Sequence, residues 1–488
     1  MSLRVYDTCR RAKIPFPKTP PDPVGIYVCG MTVQDKPHVG HMRYAISGDV
    51  IRRYLEVKGF RVTYVTNFTD IDDKIIQRAS EEGLAFQDVA ERNVQAFLTY
   101  ARRLNIKDAD VYPRATQHIP EILALIGRLI EKGHAYAASG DVYFDVRSYA
   151  RYGELSGHDV NELRSGVRIE VGEAKRDPLD FTLWKGAKPD EPSWPSPWGP
   201  GRPGWHIECS AMAMKYLGES FDFHGGGQDL IFPHHENEKA QSEAATGKTF
   251  AAFWVENGMV NLGGEKMSKS TRRFFLVEDV LQDVDPEVVR FYLQSTHYRS
   301  PIEWNEERLR EAGAAYGRLR AAIAAAKAAS PVARPAPVTL SAQGAGGPTA
   351  PSDPDTSSSL LSEVEEAARQ FEEAMDDDFN SARAQGHLFE MAKAINRVTD
   401  ASDAGAEDRA AVPMAGRRLH ELGRMIGLFW KEGAEEEAPA EVQLLVKQRD
   451  EARLQKDWKR ADELRDRIMA LGFVLDDQKG GTRARRKS

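Results

Sequence analysis

The sequence predicts an α/β protein: a Rossmann-like parallel-sheet domain with an insertion, then an all-α helical bundle and a small C-terminal module. Two β-branched apolar runs, at 24–28 and 61–66, flank a helical segment, which is the βαβ rhythm of a parallel sheet. A Pro-, Trp- and Gly-rich stretch at 189–204 interrupts that rhythm. Beyond residue 279 helical periodicity alone continues.

In chain order, the first strand leads into a helix predicted from His41 to Lys58, and the second strand follows it. The insertion starts near residue 115 and holds a helix at 119–132 and a strand at 141–146. The sheet resumes with a helix at 208–217, a strand at 221–223 and strand-rich residues 253–262. Ligands of such sheets collect at the carboxyl ends of the strands.

Composition restricts the class of protein. The chain has 488 residues, with 66 basic against 74 acidic side chains and a net charge of −8, which argues against indiscriminate nucleic-acid coating. No run approaches the roughly 20 apolar residues of a membrane span, so we expect a cytoplasmic protein without a membrane partner. The cysteines, Cys9, Cys29 and Cys209, are odd in number and far apart, which favours reduced or metal-bound thiols.

Two short motifs suggest nucleotide activation. His38, Gly40 and His41 stand where a strand turns into a helix, a position that aims backbone N–H groups and the helix dipole at an anion. Lys266 and Lys269 lie in a loop preceded by two glycines, which suits a mobile clamp on a polyphosphate. Either motif alone is typical of a turn or a solvated loop. Their order and the strand–turn–helix context favour function.

A second group of residues is typical of a zinc site. Pro233 starts a predicted helix that places His234 and Glu238 four residues apart on one face. Such a pair is common on surface helices and does not by itself predict a metal site. The prediction also needs Cys29, at the end of the first strand, and Cys209. A parallel sheet could bring all of these side chains to one edge, as two sulfur, one nitrogen and one oxygen ligand.

These motifs closely resemble the cysteinyl-tRNA synthetase family of class I aminoacyl-tRNA synthetases, across essentially the whole chain. Residues 37–41 match the HIGH signature and 266–270 match the KMSKS signature; 27–33, 201–212 and 223–236 match longer family segments. The resemblance implies that L-cysteine is activated with ATP to cysteinyl-adenylate and pyrophosphate, and is then transferred to the 3′ end of tRNA(Cys). It also implies a catalytic role for the sheet domain and a monomeric enzyme.

The resemblance assigns residues to roles. It implies one Zn²⁺ per chain, which binds the substrate thiolate and selects cysteine without a separate editing site; zinc with thiolate ligands prefers sulfur to a serine hydroxyl. It implies Mg²⁺ with ATP. The implied metal ligands are Cys29, Cys209, His234 and Glu238; the catalytic residues are His38, His41, Lys266 and Lys269; the ATP contacts are these four with Gly40, Gly225, Gly226, Gly227 and Asp229; and the cysteine contacts are Cys29, Gly30, Thr69 and Trp205.

The resemblance also divides the chain. The predicted segments are 1–114 and 205–262 for the two halves of the catalytic domain, 115–204 for the connective insertion, 263–303 for the KMSKS loop and a stem-contact region, 304–432 for the helical bundle with a disordered linker at 331–359, and 440–488 for the anticodon-binding module. Surface candidates for tRNA contact, which are equally typical of a solvated face, are Trp458, Lys459, Arg460, Arg465 and Arg467. A basic tail at 483–487 has the same two interpretations.

Departures and alternatives stay open. Gln34 stands where the family has an aromatic residue, residues 271–274 differ from the usual Leu-Gly-Asn-Phe, and Cys9 matches no ligand segment, so we interpret it as a packing or surface residue. An ATP-dependent cysteine:amino-sugar ligase shares the catalytic half, but His224 and the C-terminal module favour tRNA. A non-catalytic cysteine- or tRNA-binding paralogue would not need both motifs. A zinc hydrolase is disfavoured because the His-Glu-x-x-His arrangement is missing.

Overall fold

The computed structural model describes residues 2–159, 174–189, 191–262, 276–329, 358–431, 440–455, 457–478 and 481–486. Contacts divide the chain into two compact units, 1–428 and 429–488. Because packing merges the predicted catalytic, insertion and bundle segments into one unit, their boundaries stay predictions. Within the described ranges, no helix is both long and apolar enough to cross a membrane.

The strands are β1 (Arg4–Asp7), β2 (Ala12–Pro15), β3 (Pro23–Val28), β4 (Arg61–Thr66), β5 (Ala135–Ala138), β6 (Asp141–Phe144), β7 (Phe181–Gly186), β8 (Gly201–Pro203), β9 (Phe221–Gly227), β10 (Ala251–Asn257), β11 (Val260–Leu262), β12 (Ile302–Trp304), β13 (Phe473–Gln478) and β14 (Gly481–Arg486). The helices are α1 (Val39–Val57), α2 (Asp73–Glu82), α3 (Phe86–Arg103), α4 (Ile119–Glu131), α5 (Trp205–Leu217), α6 (Glu236–Thr246), α7 (Val277–Asp283), α8 (Pro286–Leu293), α9 (Glu306–Ala328), α10 (Ser359–Asp376), α11 (Ser381–Asp400), α12 (Ala406–Met425), α13 (Ala440–Leu454) and α14 (Trp458–Ala470).

A four-stranded parallel sheet organises the first unit, in the order β10-β9-β3-β4. The register places Val28 of β3 beside Thr66 on one side and Gly225 on the other, so the carboxyl ends of these strands share one edge. Both α1 and α5 pack on this sheet. The predicted α/β class with a parallel sheet is confirmed.

The helix after the first strand begins earlier than predicted. It starts at Val39 rather than His41, because His38 occupies the N-cap position and its side chain accepts from the backbone N–H of His41. The sequence pattern placed both histidines before the helix or at its first residue. The structure puts His41 inside the first turn, where its side chain also contributes to capping.

The segment between the two halves of the sheet forms an antiparallel sheet of its own, in the order β5-β6-β7-β8. Its apolar side chains join those of α4, α5 and α6 in one core that includes Phe144, Leu183 and Trp184. The predicted strand at 141–146 is shorter in the structure, because the chain turns into a 3₁₀ helix at Val146–Ser148.

The helices α9 to α12 pack together through buried apolar faces. Residues 331–357 of the predicted linker lie outside the described residues; Ser358 caps α10, which begins at Ser359. The loop after α10 contacts the segment between α8 and β12, since Asp378 accepts hydrogen bonds from Tyr298 Oη and Arg299 Nε, both at 2.8 Å. The bundle is therefore part of the same compact unit.

The second unit contains α13, α14 and the antiparallel pair β13–β14 around a small core. Its buried side chains are Val442, Leu445, Leu464, Ile468 and Phe473. The basic run at 483–487 was described as a tail, and the strand that its described residues form was missed: the backbone of Gly481–Arg486 pairs with β13. The run of charges concealed the strand, since it lacks the apolar alternation by which strands are recognised.

Candidate active site

Four buried side chains meet at the carboxyl edge of the sheet. The ligand atoms of Cys29, Cys209, His234 and Glu238 all lie within 4.8 Å of one another. Cys29 Sγ is 3.1 Å from Glu238 Oε1 and 3.5 Å from His234 Nε2, and that nitrogen is 2.9 Å from the same carboxylate oxygen. The structure thus brings together every residue that the sequence analysis named as a metal ligand.

Three elements position this cluster. Cys29 directly follows β3, and its backbone N–H donates to the carbonyl of Gly225 on β9 at 2.9 Å. Cys209 lies on α5, which packs on β3. His234 lies in the turn before α6 and Glu238 lies in its first turn, so the predicted spacing of four residues places both side chains on one face.

Burial and charge act against each other in the cluster. Burial raises the pKa of the Cys29 thiol well above its usual value. Burial also opposes ionisation of Cys209, but the hydrogen bond from Cys29 and the nearby His234 lower its pKa to about 6. For His234, burial is outweighed by the Glu238 carboxylate, which raises the imidazole pKa to about 10. The geometry therefore favours a thiolate and a carboxylate beside a positive charge.

The donor set fits a zinc ion. Two thiols, one imidazole and one carboxylate are a ligand combination that zinc accepts, and a tetrahedral zinc site separates its ligand atoms by about 3.3–3.8 Å. The separations among Cys29, His234 and Glu238 are 2.9–3.5 Å, close to that range, and all four ligand atoms lie within 4.8 Å of one another. Such a cation would also compensate buried negative charge that is otherwise costly.

Further histidines surround the cluster. His224 Nε2 is 2.9 Å from Glu238 Oε2, and its ring stacks on Trp254 with centroids 4.4 Å apart. His235 Nδ1 is 2.9 Å from Glu256 Oε1. The sequence analysis named His224 as a family feature and missed Glu256, which ends up here because β10 runs beside β9.

The residues predicted to contact the substrate L-cysteine lie next to the cluster. The indole of Trp205 stacks on the ring of His234 with centroids 4.2 Å apart, and 36% of its surface is exposed. The backbone N–H of Gly30 donates to Asn67 Oδ1 at 2.9 Å, and a Cβ at position 30 would lie 1.6 Å from the carbonyl oxygen of Asn67. Thr69 is buried at the end of the neighbouring strand, with its N–H bonded to the carbonyl of Met31.

The two histidines of the first motif cap α1 reciprocally. His38 Nδ1 accepts from the N–H of His41 at 3.3 Å, and His41 Nδ1 accepts from the N–H of His38 at 3.2 Å. The rings stack with centroids 3.6 Å apart, and a Cβ on Gly40 would lie 3.0 Å from the His38 ring. Burial lowers the pKa of His38 to about 4 and that of His41 well below its usual value, so both are neutral at pH 7.

The predicted glycine run ends β9 at the same edge. A Cβ on Gly226 would lie 2.7 Å from the ring of His235, and one on Gly227 would lie 2.4 Å from Asp229 Oδ1. Asp229 itself is exposed in a 3₁₀ turn. Gly225 pairs with Val28, so the run lies next to the strand that carries Cys29.

Lys266 and Lys269 lie outside the described residues, as do the departures at 271–274. The flanks of their loop are described, and both contact the segment around the first motif. On one flank, Arg43 donates to the carbonyls of Gly258 and Met259, each at 2.8 Å. On the other, Leu276 forms a β-bridge with His38 and Lys36 pairs with Glu278 at 2.7 Å. Neither Arg43 nor Lys36 could be predicted as a contact of this loop, since only their tertiary partners identify them.

Cys9, which was assigned to packing or the surface, is half-buried against the core that includes Tyr27 and Cys209. Burial raises the pKa of its thiol to about 11. It does not belong to the clustered donors.

Three family models match the chain in succession. The model of tRNA synthetases class I (C) catalytic domain matches residues 15–314. The DALR domain model matches 370–430, and the model of the cysteinyl-tRNA ligase anticodon binding domain matches 435–485.

Curated relatives match nearly the full length. The chain is 47% identical over 495 residues to the cysteine–tRNA ligase of Geobacter sulfurreducens, with 99% of each chain covered. It is 48% identical over 491 residues to the cysteine–tRNA ligase of Stutzerimonas stutzeri, again with 99% of each covered. Among solved structures, the Mycobacterium tuberculosis methionyl-tRNA synthetase in complex with methionyl-adenylate shares the fold, with a TM-score of 0.59, 16% identity, and 83% of this chain and 90% of that chain covered.

Proposed function

Because the chain belongs to the cysteinyl-tRNA synthetase family of class I enzymes, we propose that it activates L-cysteine with ATP and transfers it to tRNA(Cys). The observation that carries this proposal is the buried cluster of Cys29, Cys209, His234 and Glu238. The cluster lies at the same sheet edge as the N-terminus of α1, where His38 caps the helix. A thiol-binding site thus adjoins an anion-binding helix end.

We assign the cluster to one Zn²⁺ held by its four side chains. When bound, zinc supplies a Lewis acid that favours a deprotonated thiol over a hydroxyl, which would select cysteine over serine. An apolar pocket alone discriminates small groups by only about 10–200-fold. The two thiolates and the Glu238 carboxylate would together carry one more charge than Zn²⁺ neutralises.

The neighbouring residues orient the amino acid. The exposed indole of Trp205 forms a wall beside His234. We assign Thr69 and the tight turn at Gly30 to the floor of the pocket, where the Thr69 hydroxyl would accept from the substrate amino group. Holding the amino group and the thiol at two points directs the carboxylate toward the helix end.

The ATP site lies at that helix end. Neutral His38 and His41 can donate hydrogen bonds to phosphate oxygens without adding charge, and the dipole of α1 favours the anion. Close backbone approach at Gly225 to Gly227 suits the nucleoside, with Asp229 available to a ribose hydroxyl. The cysteine carboxylate then attacks the α-phosphate in line, Mg²⁺ accompanies ATP, and Lys266 and Lys269 offset charge on the departing pyrophosphate.

We assign tRNA binding to the helical bundle and the second unit. Their matches to a DALR domain and to an anticodon binding domain support contact with the tRNA stem and anticodon, while the sheet domain holds the 3′-terminal ribose. We propose that one chain performs both steps as a monomer. An unpaired anticodon loop offers bases to stack on exposed aromatic side chains.

The test is cysteine-dependent ATP–pyrophosphate exchange together with tRNA charging, for the wild type, Cys209→Ser and Cys9→Ser. We expect both reactions in the wild type, their loss in Cys209→Ser and their retention in Cys9→Ser, because Cys9 lies outside the cluster. Exchange without tRNA charging, but with turnover of an amino-sugar acceptor, would establish the alternative cysteine ligase. Absence of cysteine-dependent exchange in the wild type would overturn the proposal.

A further inference from the structure

A second histidine contacts the metal-ligand candidate His234. The Nδ1 atoms of His206 and His234 lie 2.9 Å apart, which is hydrogen-bonding distance for two ring nitrogens. His206 does not belong to the clustered donors. It lies on α5, three residues before Cys209, so one helix carries both a ligand candidate and this contact.

The other atoms around His234 fix which nitrogen faces the cluster. Its Nε2 is 2.9 Å from Glu238 Oε1 and 3.5 Å from Cys29 Sγ, so Nε2 points at the donor set. Its Nδ1 therefore points away, toward His206, while the indole of Trp205 covers one face of the ring.

From this geometry we infer that His206 is a positioning residue for His234: its unprotonated Nδ1 accepts the Nδ1–H of His234 and leaves the Nε2 lone pair free for zinc. This inference rests on the metal site of the proposed function. An imidazole binds a metal through an unprotonated nitrogen, and the hydrogen bond at the other nitrogen decides which tautomer is present. His206 consequently carries its own proton on Nε2.

The surroundings of His206 hold it in this role. Its backbone carbonyl accepts from Gln241 Nε2 on α6, and Gln241 also donates to Ser210 Oγ at 2.7 Å. Phe181 packs edge-on against the His206 ring with centroids 5.6 Å apart. The contact between the histidines thus links α5 to the turn before α6, next to the hydrogen bonds by which Gln241 already joins the two helices.

The test measures zinc affinity of the full-length protein by competition with a chromophoric chelator. His206→Leu removes the acceptor, and His206→Asn keeps an oxygen acceptor near the Nδ1 position. Loss of an outer hydrogen-bond partner typically weakens metal binding about 10–100-fold, so we expect that loss in His206→Leu and substantial recovery in His206→Asn. His118→Leu is the control, because His118 is a buried histidine that bonds to Arg114 and Tyr216 and lies outside the cluster.

A second measurement needs no variant. In zinc-loaded wild type with ¹⁵N-labelled histidine, long-range ¹H–¹⁵N spectra report the tautomer of each ring. We expect the proton of His234 on Nδ1 and that of His206 on Nε2. A proton on Nδ1 of His206 would overturn the inference, even if His206→Leu fails to fold.

The outcomes separate the two proposals. If wild type binds no zinc, the proposed metal site fails and the inference fails with it. If wild type binds zinc and folded His206→Leu binds it equally well, the role of His206 is refuted while the zinc site stands. Equal weakening in His206→Leu, His206→Asn and His118→Leu would also refute it, since a general effect of losing a buried histidine would then explain the result.

Discussion

Arg43 on α1 donates a 2.8 Å hydrogen bond to the backbone carbonyl of Gly258, at the end of β10. The same buried guanidinium also donates to the carbonyls of Met259, His297 and Ser300. Burial lowers its pKa to about 10, so the group is still charged at pH 7. One side chain, two residues beyond His41, thus ties the first motif to the strand that leads toward the lysine loop.

Replacing Arg43 by Met should therefore affect stability and ATP use together. Four carbonyls, of which that of Gly258 is buried, lose a charged donor, and each such hydrogen bond contributes about 1.5–3 kcal/mol, with incomplete additivity. We expect unfolding in urea at lower concentration, and a KM for ATP that rises more than the KM for cysteine in pyrophosphate exchange. Arg43→Lys should show a smaller rise. Equal changes in both KM values would contradict a role in positioning the ATP side.

Asp49 and Arg290 form a buried ion pair at 2.5 Å, which also includes Arg53. Removing one partner of such a pair typically costs about 3–5 kcal/mol, so we expect Asp49→Asn to lower the free energy of unfolding by that amount. Asp108→Asn is the control: it breaks an exposed pair with Arg102, for which we expect less than about 1 kcal/mol. Equal losses in the two variants would contradict the prediction.

The same pair predicts a pH dependence. Burial raises the pKa of Asp49, but Arg290 and Arg53 outweigh it, so the folded pKa lies below the usual value. A depressed folded pKa stabilises the protein above the unfolded value of about 3.9, and this contribution is lost as pH falls through the folded value. In denaturant unfolding, the free energy of unfolding should therefore fall more steeply between pH 5 and pH 3 in wild type than in Asp49→Asn. An equal fall in the two proteins would refute the lowered pKa of Asp49.

His38 should titrate far below neutrality. Burial lowers its pKa to about 4, so the folded protein keeps the ring neutral where the unfolded chain protonates near 6.5. The stability that this contributes is present above pH 6.5 and is lost as pH falls toward 4. NMR titration of the ring Cε1–H signal, assigned with His38→Asn, measures the pKa directly. A value near 6.5 would be incompatible with the buried cap.

Gly30 should tolerate no side chain. A Cβ there would lie 1.6 Å from the carbonyl oxygen of Asn67, so the backbone itself must move. Overpacking costs typically about 1–3 kcal/mol, and a clash with backbone belongs at the upper end. In Gly30→Ala we expect that loss of stability and a raised KM for cysteine. Gly127→Ala, where nothing lies within 4 Å of the new Cβ, should be neutral or stabilising in thermal unfolding.

Trp458 is 60% exposed at the start of α14 and should contact tRNA. Base–aromatic stacking is worth about 1–3 kcal/mol, so Trp458→Ala should raise the KM for tRNA about 5–150-fold without changing cysteine-dependent exchange. Leu444→Ala is the matched control, because Leu444 is 57% exposed in the same unit but has no ring. A KM for tRNA unchanged in Trp458→Ala would show that this face is only solvated.

Much of the fold was predictable from local patterns. The β-branched run of β3 and its repetition at β4 indicated parallel pairing, and the end of β3 placed Cys29 at the ligand edge. β14 was missed, because its charged residues follow no apolar alternation and only pairing with β13 identifies it. Helix α1 begins two residues before its predicted start. The two histidines cap it reciprocally through their side chains, and such capping cannot be recognised from hydrophobic periodicity.

The site was predicted only in part, because some of its residues have a local signal in the sequence and others do not. Residue types with distinctive chemistry, such as Cys29, Cys209 and His234, can be recognised wherever they stand, and the sequence grouped them correctly. Arg43 and His206 carry no such signal, because neither has a ligand spacing like that of His234 and Glu238, and their partners are distant in sequence or on another element.

The α/β class, the motif residues and the four metal-ligand candidates could be predicted without a structure, because strand and helix periodicity and ligand chemistry are local properties of the chain. The contacts that support them could not: His206 lies behind His234, and Arg43 lies between α1 and the end of β10. Those contacts depend on distances across the sheet and between helices. A hydrogen bond requires its partners within about 3 Å, and only packing of distant segments sets such a separation.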